Sequence, residues 1–269
     1  MQLDQLLANA AQQVGQPQTI SIPEGWGQGR AVFGGLVAGL MIARAEPLVN
    51  DAAKTLRSAF ISFVGPVATG EAELQAQVLR TGKSVTTIQV LLIQQGQVQA
   101  VLVASFGAAR ESIINIQGEH TAPIYKAPEQ CQALPFIPGI TPAFLQHFDA
   151  LWAEGALPFS GAKQPDFGGW MRFKDHANIS SIQLPHLLVL DDMWPPAVLP
   201  MYDRIAPSSS LNWNFELITM PEQTSAASWW QYQVKTDYAA DGYAYTQAKI
   251  WDEQGNLVAL SRQTVTVFI

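Results

Sequence analysis

The sequence is poor in charge, in cysteine and in long hydrophobic runs, and each shortage excludes a class of protein. Charged residues make up 14% of the 269 positions, and 15 Lys and Arg face 22 Asp and Glu, for a net charge of -7. Nucleic-acid binding needs a basic stripe, so we expect no nucleic-acid partner. With Cys131 alone, the chain can form neither an internal disulfide nor a cysteine-based zinc site.

The N-terminal residues lack the charged start and apolar core of a signal peptide, and no apolar window is long enough for a membrane span. We therefore expect a cytoplasmic protein. The four histidines show no ligand spacing, so we expect no metal. No Gly-x-Ser-x-Gly motif marks the nucleophile of an α/β-hydrolase. Apolar residues make up 48% of the chain, enough for a large core and for association between copies.

What the sequence does contain is one pattern of elements that occurs twice. An apolar stretch with helical spacing, 30–49, precedes four strand-like segments, and the same order returns after an offset of about 155 to 160 residues, where the helix is expected at 185–201. The turn Gln95-Gly96 corresponds to the turn Gln254-Gly255 in the second half. The expected strands are 55–64, 71–80, 84–94, 98–108, 209–219, 228–236, 243–252 and 257–268.

A helix wrapped by a long antiparallel sheet, present twice in one chain, predicts an α+β double hot-dog fold. The N-terminal unit is expected at 1–110 and the C-terminal unit at 169–269. Between them, 111–168 contains seven prolines, which indicates an extended connecting segment, with one helix near 141–154.

Short stretches along almost the whole chain carry a family resemblance. They are Arg30-Ala31-Val32-Phe33-Gly34-Gly35, Phe63-Val64-Gly65-Pro66-Val67, Leu79-Arg80-Thr81-Gly82-Lys83-Ser84, Gly169-Trp170-Met171-Arg172, Leu190-Asp191-Asp192 and Gly255-Asn256-Leu257-Val258-Ala259. In this order they resemble the acyl-CoA thioesterase II family, the double hot-dog thioesterases. The resemblance implies an acyl-CoA substrate, no cofactor, and a homodimer or larger homo-oligomer.

The resemblance also implies a site in which an Asp, a Ser or Thr and a Gln hold the water that attacks the thioester. Such a water needs a base to take its proton. Matched by position, the family Asp falls at Asn212, the hydroxyl at Thr236 and the Gln at Gln263. An amide such as Asn212 can orient a water but cannot deprotonate it, and the neighbouring Asp237 could supply the carboxylate.

Three further residues match the family pattern at the helices. Gly34 and Gly35 are expected at a helix N-terminus whose free N–H groups polarise the thioester carbonyl, or at a tight contact between the helix and the sheet; the two roles are compatible. Asp192 matches a family Asp in the second helix, where it could support the site or the fold. Ordinary structural roles remain open for Asn212, Thr236, Asp237 and Gln263, such as backbone capping or a surface loop.

The leading functional hypothesis is hydrolysis of an acyl-CoA to a free acid and CoA. The alternatives keep the fold. One is a non-catalytic binder of acyl-CoA or lipid that lost its base when Asp became Asn. The other is a hot-dog hydratase, which would normally pair a histidine with an Asp or Asn.

Overall fold

Two buried helices lie at the centre of the fold. The computed structural model describes residues 2–12, 15–116, 120–221 and 224–268. Its α-helices are α1 (Leu3–Ala10), α2 (Gly34–Ala45) and α3 (Leu184–Asp191). Every residue of α2 after Gly34 is buried, as is all of α3, which is expected of helices that are apolar on nearly every side. Both end earlier than predicted, because prolines follow them at Pro47 and Pro195. α2 also begins later than predicted, because Ala31–Val32 forms a short strand.

The strands predicted from β-branched and apolar segments all form, as β4 to β7 and β11 to β14 in the numbering used here. In the described ranges, the strands are β1 (Gln18–Ile22), β2 (Gly27–Gln28), β3 (Ala31–Val32), β4 (Lys54–Phe63), β5 (Gly70–Thr81), β6 (Val85–Gln94), β7 (Gln97–Ala108), β8 (Gln132–Ala133), β9 (Phe148–Glu154), β10 (Phe167–Phe173), β11 (Ser208–Leu217), β12 (Trp230–Ala240), β13 (Tyr243–Trp251) and β14 (Leu257–Val267).

Twelve of these strands form one antiparallel sheet that runs through both halves of the chain. Their order is β1-β5-β6-β7-β4-β11-β14-β13-β12-β10-β9-β8, while β2 and β3 form a separate hairpin. The halves meet where β4 pairs with β11, with Asn212 opposite Ser62 and Phe215 opposite Ala59. Each half thus supplies one central helix and one continuous part of the sheet. The predicted double hot-dog fold is confirmed.

The predicted helix at 141–154 is wrong. A short 3-10 turn, Ala143–His147, is followed by β9. The buried residues of β9 are Phe148, Ala150 and Trp152, so they alternate with period two and fit a strand. β8, β9 and β10 extend the sheet beyond β12. The sequence analysis did not predict this extension, because the prolines of the region indicated a connecting segment outside the sheet.

The two central helices cross in close contact and in opposite directions. A methyl group placed on Gly39 would lie 2.5 Å from Val189 Cγ2 and 3.1 Å from the Pro185 carbonyl oxygen. Near the start of α2, a methyl group on Gly35 would lie 3.0 Å from Asp192 Cβ. The N-terminus of α2 therefore lies beside the C-terminus of α3, and the start of α3 lies against the middle of α2, so that α2 extends past it at the opposite end of the pair.

At that opposite end, the N-terminal segment covers the helices. Asp4 Oδ1 in α1 lies 2.9 Å from His186 Nε2 in α3. The buried Arg44 guanidinium of α2 donates to the backbone carbonyls of Gln12 and Gln16. These contacts tie α1 and the residues after it to both helices.

Candidate active site

A cluster of polar side chains lies where the C-terminus of α3 meets the N-terminus of α2. Asp192 follows the last residue of α3 and is partly exposed, but its carboxyl points inward. A methyl group on Gly34 would lie 2.9 Å from Asp192 Oδ2, and the Gly35 N–H stabilises the ionised carboxyl. The carboxylate therefore lies at the positive end of the α2 dipole.

Gln263 joins this carboxyl to a hydroxyl. Its amide Nε2 donates to Asp192 Oδ1 over 2.7 Å, and its Oε1 accepts from the Ser210 hydroxyl over 2.7 Å. An ionised carboxylate only accepts hydrogen bonds, so the amide must turn its NH2 group towards Asp192. Its oxygen is then left for Ser210, and the orientation of the whole group is fixed.

The pairing of the strands places Gln263 on the inner face of the sheet. Gln263 of β14 lies opposite Trp213 of β11, and residues directly opposite each other share a face. Trp213 is fully buried beneath the helices. A bulge in β11 between Ser210 and Asn212 changes the alternation, so that the Ser210 hydroxyl also reaches Gln263.

Burial dominates the electrostatics of Asp192. It raises the pKa of this carboxyl to about 7, although the hydrogen bonds from Gln263 and the Gly35 N–H favour the ionised form. Asp192 therefore changes protonation state near neutral pH, in the range where a carboxylate acts best as a general base.

Asp191 lies directly before Asp192 and is more deeply buried. It is 2% exposed, and neither carboxyl oxygen has a hydrogen-bond partner at normal geometry within the described residues. Burial, followed by the charge of Asp192, raises its pKa to about 8, while the neighbouring Ser261 and Trp213 side chains act in the other direction.

The structure does not bring Asn212 to this cluster. Asn212 lies opposite Thr264 and so faces away from the helices, on the outer face of the sheet. A hollow on that face is lined by Asn212, Asn214, Tyr245, Thr246, Arg262, Gln263 and Thr264, so Gln263 also contributes to it. The strand register gives the side chains of Asn212 and Gln263 opposite faces, so the structure does not bring Asn212 to the inner cluster, and a water held by both residues stays a prediction.

Thr236 lies on the inner face but outside the cluster. It is opposite Thr246, which is opposite Gln263, so two strand spacings of roughly 5 Å each separate Thr236 from Gln263. Its backbone N–H donates to Asp166 over 3.0 Å, and its hydroxyl is buried without a partner among the residues described.

Asp237 cannot supply the carboxylate expected of it. It lies at a bulge in β12, and its carboxylate pairs with Arg262 at 2.6 Å and accepts from the Gln247 amide at 2.8 Å. Arg262 and Gln247 lie opposite each other on the outer face, which separates Asp237 from the inner cluster. The carboxylate of the cluster is Asp192, which the family pattern placed in the helix as a supporting residue.

Ser210 was missed by the sequence analysis. The run Ser208-Ser209-Ser210 at the start of a predicted strand was the available sign of a hydroxyl near the site, but the family match pointed to Asn212 in the same segment. A bulge cannot be located from the sequence pattern, so period-two alternation gave no means of choosing between positions 210 and 212.

A histidine–aspartate pair does occur, but at a distance from the cluster. His186 Nδ1 accepts from the Gln183 N–H over 3.2 Å, and its Nε2 faces Asp4. His186 precedes Asp192 by six residues, roughly 9 Å along a helix. Both ring nitrogens serve helix capping and the attachment of α1.

Among the residues that the structure describes, no group of three or more His, Cys, Asp and Glu side chains could hold a metal ion. No helix in these ranges is long and apolar enough to cross a membrane.

The arrangement supplies the groups that activate a water. A carboxylate can take the proton, while an amide and a hydroxyl fixed to it can set the direction of attack. Of the N–H groups in the first turn of α2, that of Gly35 faces Asp192, and the others have no carbonyl partners within the helix and can meet a developing negative charge.

Two family descriptions match the chain in succession. Residues 22–107 match the acyl-CoA thioesterase N-terminal domain, and residues 128–267 match the acyl-CoA thioesterase C-terminal domain. No curated protein sequence matches the chain.

Solved structures are similar over nearly the whole length. A hot-dog protein of unknown function from Alicyclobacillus acidocaldarius is 18% identical, with a TM-score of 0.85 over 98% of each chain. A candidate thioesterase II from Thermobifida fusca YX is 22% identical, with a TM-score of 0.80 over 98% of this chain and 97% of the other. Acyl-CoA thioesterase II TesB2 from Mycobacterium marinum is 20% identical, with a TM-score of 0.72 over 97% of each.

At these identities the structural likeness establishes the fold alone. The family matches go further, because the C-terminal match by itself covers more than half of the chain. The chain therefore belongs to the acyl-CoA thioesterase family and is a thioester hydrolase.

Proposed function

We propose that this protein hydrolyses acyl-CoA thioesters at the cluster of Asp192, Ser210 and Gln263. The observation that carries the proposal is the Gln263 amide, which bonds both the Asp192 carboxylate and the Ser210 hydroxyl. This combination of a carboxylate, a hydroxyl and an amide is the set that a thioesterase needs to hold and activate a water.

In this mechanism Asp192 takes a proton from the water as the oxygen attacks the thioester carbonyl. Ser210 and Gln263 restrict the positions that the water can take, which lowers the entropy lost on reaching the transition state. The first turn of α2, beginning at Gly34, stabilises the oxyanion, since its N–H groups and dipole are fixed before the reaction starts. Collapse of the tetrahedral intermediate then breaks the C–S bond, and the CoA thiolate takes the proton from Asp192, which releases CoA as the thiol, leaves the free acid and restores the Asp192 carboxylate.

The non-catalytic binder loses its main support. That alternative rested on Asn212 as a replacement for the family carboxylate, whereas Asp192 supplies a carboxylate beside Gln263. The hydratase alternative has no observation in its favour either, because the His186–Asp4 pair is occupied in capping α3 and holding α1.

The test is CoA release from acyl-CoAs of short, medium and long chain, followed with a thiol reagent. We expect Asp192→Asn to lower kcat by about 10²- to 10⁴-fold, because the amide cannot accept the proton. Asp237→Asn is the matched control, since it removes a carboxylate from the outer face, and we expect it to keep kcat within about twofold. Wild-type kcat in Asp192→Asn would disprove the assignment of the base.

The pH dependence gives a second readout of the same base. Asp192 must be ionised to accept a proton, and its pKa is raised to about 7. Activity is therefore expected to fall as the pH drops through about 7. The profile of kcat/KM against pH measures this acidic limb directly.

A further inference from the structure

The second carboxyl of the cluster, Asp191, has no role in the mechanism above. It is the last residue of α3, and its oxygens find no hydrogen-bond partner at normal geometry in the described part of the chain. Ser261 and Trp213 lie beside it and lower its pKa, but neither reaches it with normal hydrogen-bond geometry, and the Trp213 indole N–H donates to the Ser261 hydroxyl oxygen over 2.8 Å. Within the described residues Asp191 is thus a buried acid held less closely by donors than a buried carboxylate normally is.

The charges around Asp191 also oppose its ionisation. The titratable groups that interact with it are Asp192, at the end of the same helix, and Tyr232 on β12, whose own pKa is raised by burial. β11 and β14 contribute Trp213 and Ser261, which do not titrate near neutral pH. None of the ion pairs within the described residues includes Asp191. An isolated buried carboxylate is strongly unfavourable, so the acid remains protonated.

Asp192 differs from its neighbour in the donors that it receives. The Gln263 amide donates to Asp192 over 2.7 Å, and the Gly35 N–H also stabilises a charge there. Ser261 and Trp213 favour a charge on Asp191 as well, but no donor within the described residues reaches its oxygens at normal hydrogen-bond geometry. The two adjacent carboxyls titrate together, and the first negative charge belongs on Asp192. At neutral pH the pair therefore carries the charge where the attacking water needs it.

We propose that Asp191 is a positioning residue that works as a neutral, protonated acid, and that its ionisation slows hydrolysis at Asp192. This inference rests on the proposed function of Asp192. A second negative charge beside Asp192 would repel the oxyanion that forms on the thioester carbonyl, in an interior where charges are poorly screened. Hydrolysis is then fastest between two pH values, above the pH at which Asp192 ionises and below the pH at which Asp191 ionises.

The experiment compares the kcat profiles of wild type and Asp191→Asn from about pH 6 to about pH 10, after subtraction of uncatalysed thioester hydrolysis. Asparagine has the shape of the acid but cannot ionise. We expect the variant to keep kcat within about threefold at neutral pH and to retain the acidic limb. Wild type should lose about tenfold at alkaline pH, and the variant should not.

Asp252→Asn is the matched control. Asp252 is buried to 5% exposure but accepts from the Gln254 and Asn256 N–H groups and from the Asn256 amide. We expect this variant to keep both the acidic and the alkaline limb of the kcat profile against pH. An alkaline limb that persists in Asp191→Asn overturns the proposal. Loss of the acidic limb in Asp191→Asn also overturns it, because Asp191 would then be the base.

Infrared spectroscopy tests the protonation state without relying on activity. Asp192 and Glu46, whose pKa values are both raised to about 7, are partly protonated at neutral pH in any sample that contains them, so the signal is read as a difference between samples. The carbonyl stretch of one further protonated carboxyl, which is lost only at more alkaline pH, should be present in wild type and in Asp192→Asn and missing in Asp191→Asn. If only carboxylate bands disappear in Asp191→Asn, Asp191 is ionised and the proposal fails. Wild-type activity in Asp192→Asn would instead contradict the proposed function and leave the state of Asp191 to be read from the spectra.

Discussion

The two hot-dog units share a backbone design and differ in what they place at corresponding positions. β4 has a bulge between Leu56 and Ser58 where it pairs with β7, and β11 has one between Ser210 and Asn212 where it pairs with β14. Leu56 therefore corresponds to Ser210. The bulge is thus common to both units. Whether it contributes to a site depends on the side chain at the bulge, which is Leu56 in one unit and Ser210 in the other.

The same correspondence links the last strand of each unit. Leu56 lies opposite Phe106, and Ser210 lies opposite Val265; two residues earlier along these strands are Ala104 and Gln263. Leu56 and Ala104 are buried apolar residues, whereas Ser210 and Gln263 bond each other. The first unit has an ordinary apolar core at these positions, whereas the second has polar groups. The fold therefore offers two equivalent positions for a site, and only the second carries the polar side chains of the cluster.

The largest expected effect comes from giving the second unit the side chains of the first. Ser210→Leu with Gln263→Ala removes the groups that orient the water, and we expect kcat to fall by about 10²-fold or more. The thiol-reagent assay measures it. Ala104→Gly in the first unit is the counterpart, and we expect it to lower stability by about 0.5–1 kcal/mol while leaving kcat unchanged. Equal losses of kcat in both units would break the comparison.

A smaller effect is expected at the helix contacts. In Gly34→Ala the new methyl would lie 2.9 Å from Asp192 Oδ2 and 3.2 Å from the Phe63 ring, so the carboxylate must shift. We expect kcat to fall about tenfold, because a small misplacement of a catalytic group is costly.

Gly39→Ala provides the contrast for Gly34→Ala. Its methyl would meet Val189 in the middle of the helix pair, away from the carboxylate. We expect a loss of about 1–3 kcal/mol in the free energy of unfolding, with kcat of the folded enzyme retained. Chemical denaturation and steady-state kinetics on the same samples separate the two effects. A larger kcat loss at Gly39 than at Gly34 would contradict the placement of the site.

The smallest effect is expected at the opposite end of the helices, where α1 covers them. Asp4→Asn weakens the contact with His186 and the hydrogen bonds from Ser180, so we expect a loss of about 1 kcal/mol in stability at neutral pH and no change in kcat. Thermal unfolding is the measurement.

The sign of the pH dependence follows from the two partners. Burial raises the pKa of Asp4, but the hydrogen bonds from Ser180 and His186 outweigh it and lower the pKa below 3.8. Burial lowers the pKa of His186 below 6.5. In both cases the unfolded chain binds protons more readily, so stability falls as the pH drops below about 6.5 and further below about 4. Stability that rises on acidification would contradict the contact.

The sequence predicted the fold better than the site. Helix and strand order could be read because burial imposes periods of 3.6 and 2, and the repeated Gln-Gly turns gave the register of the two halves. β9 was missed because Pro142 and the prolines before it suggested a path outside the sheet. Gln263 was found because it alternates with the buried Val265 and Val267.

The remaining site residues depend on features that alternation cannot supply. The bulge in β11 turns Ser210 to the same face as Trp213, whereas Asn212, next to Trp213, faces outward, and the bulge in β12 leaves Asp237 on the outer face. Asp192 was identified, but its catalytic importance depends on how the ends of α2 and α3 meet in space. That crossing is fixed by contacts between distant segments, such as Gly39 with Val189, and no local pattern reports it.

The connecting segment has an evolutionary consequence. Two identical single-unit chains that pair symmetrically carry every residue twice, so a mutation that benefits one place is imposed on the other. Once both units are encoded in one chain, each can change separately. The second unit can keep Ser210 and Gln263 in its interior while the first has Leu56 and Ala104 at the corresponding positions. The N-terminal segment can likewise cover one end of the helix pair and leave the other end free for the site.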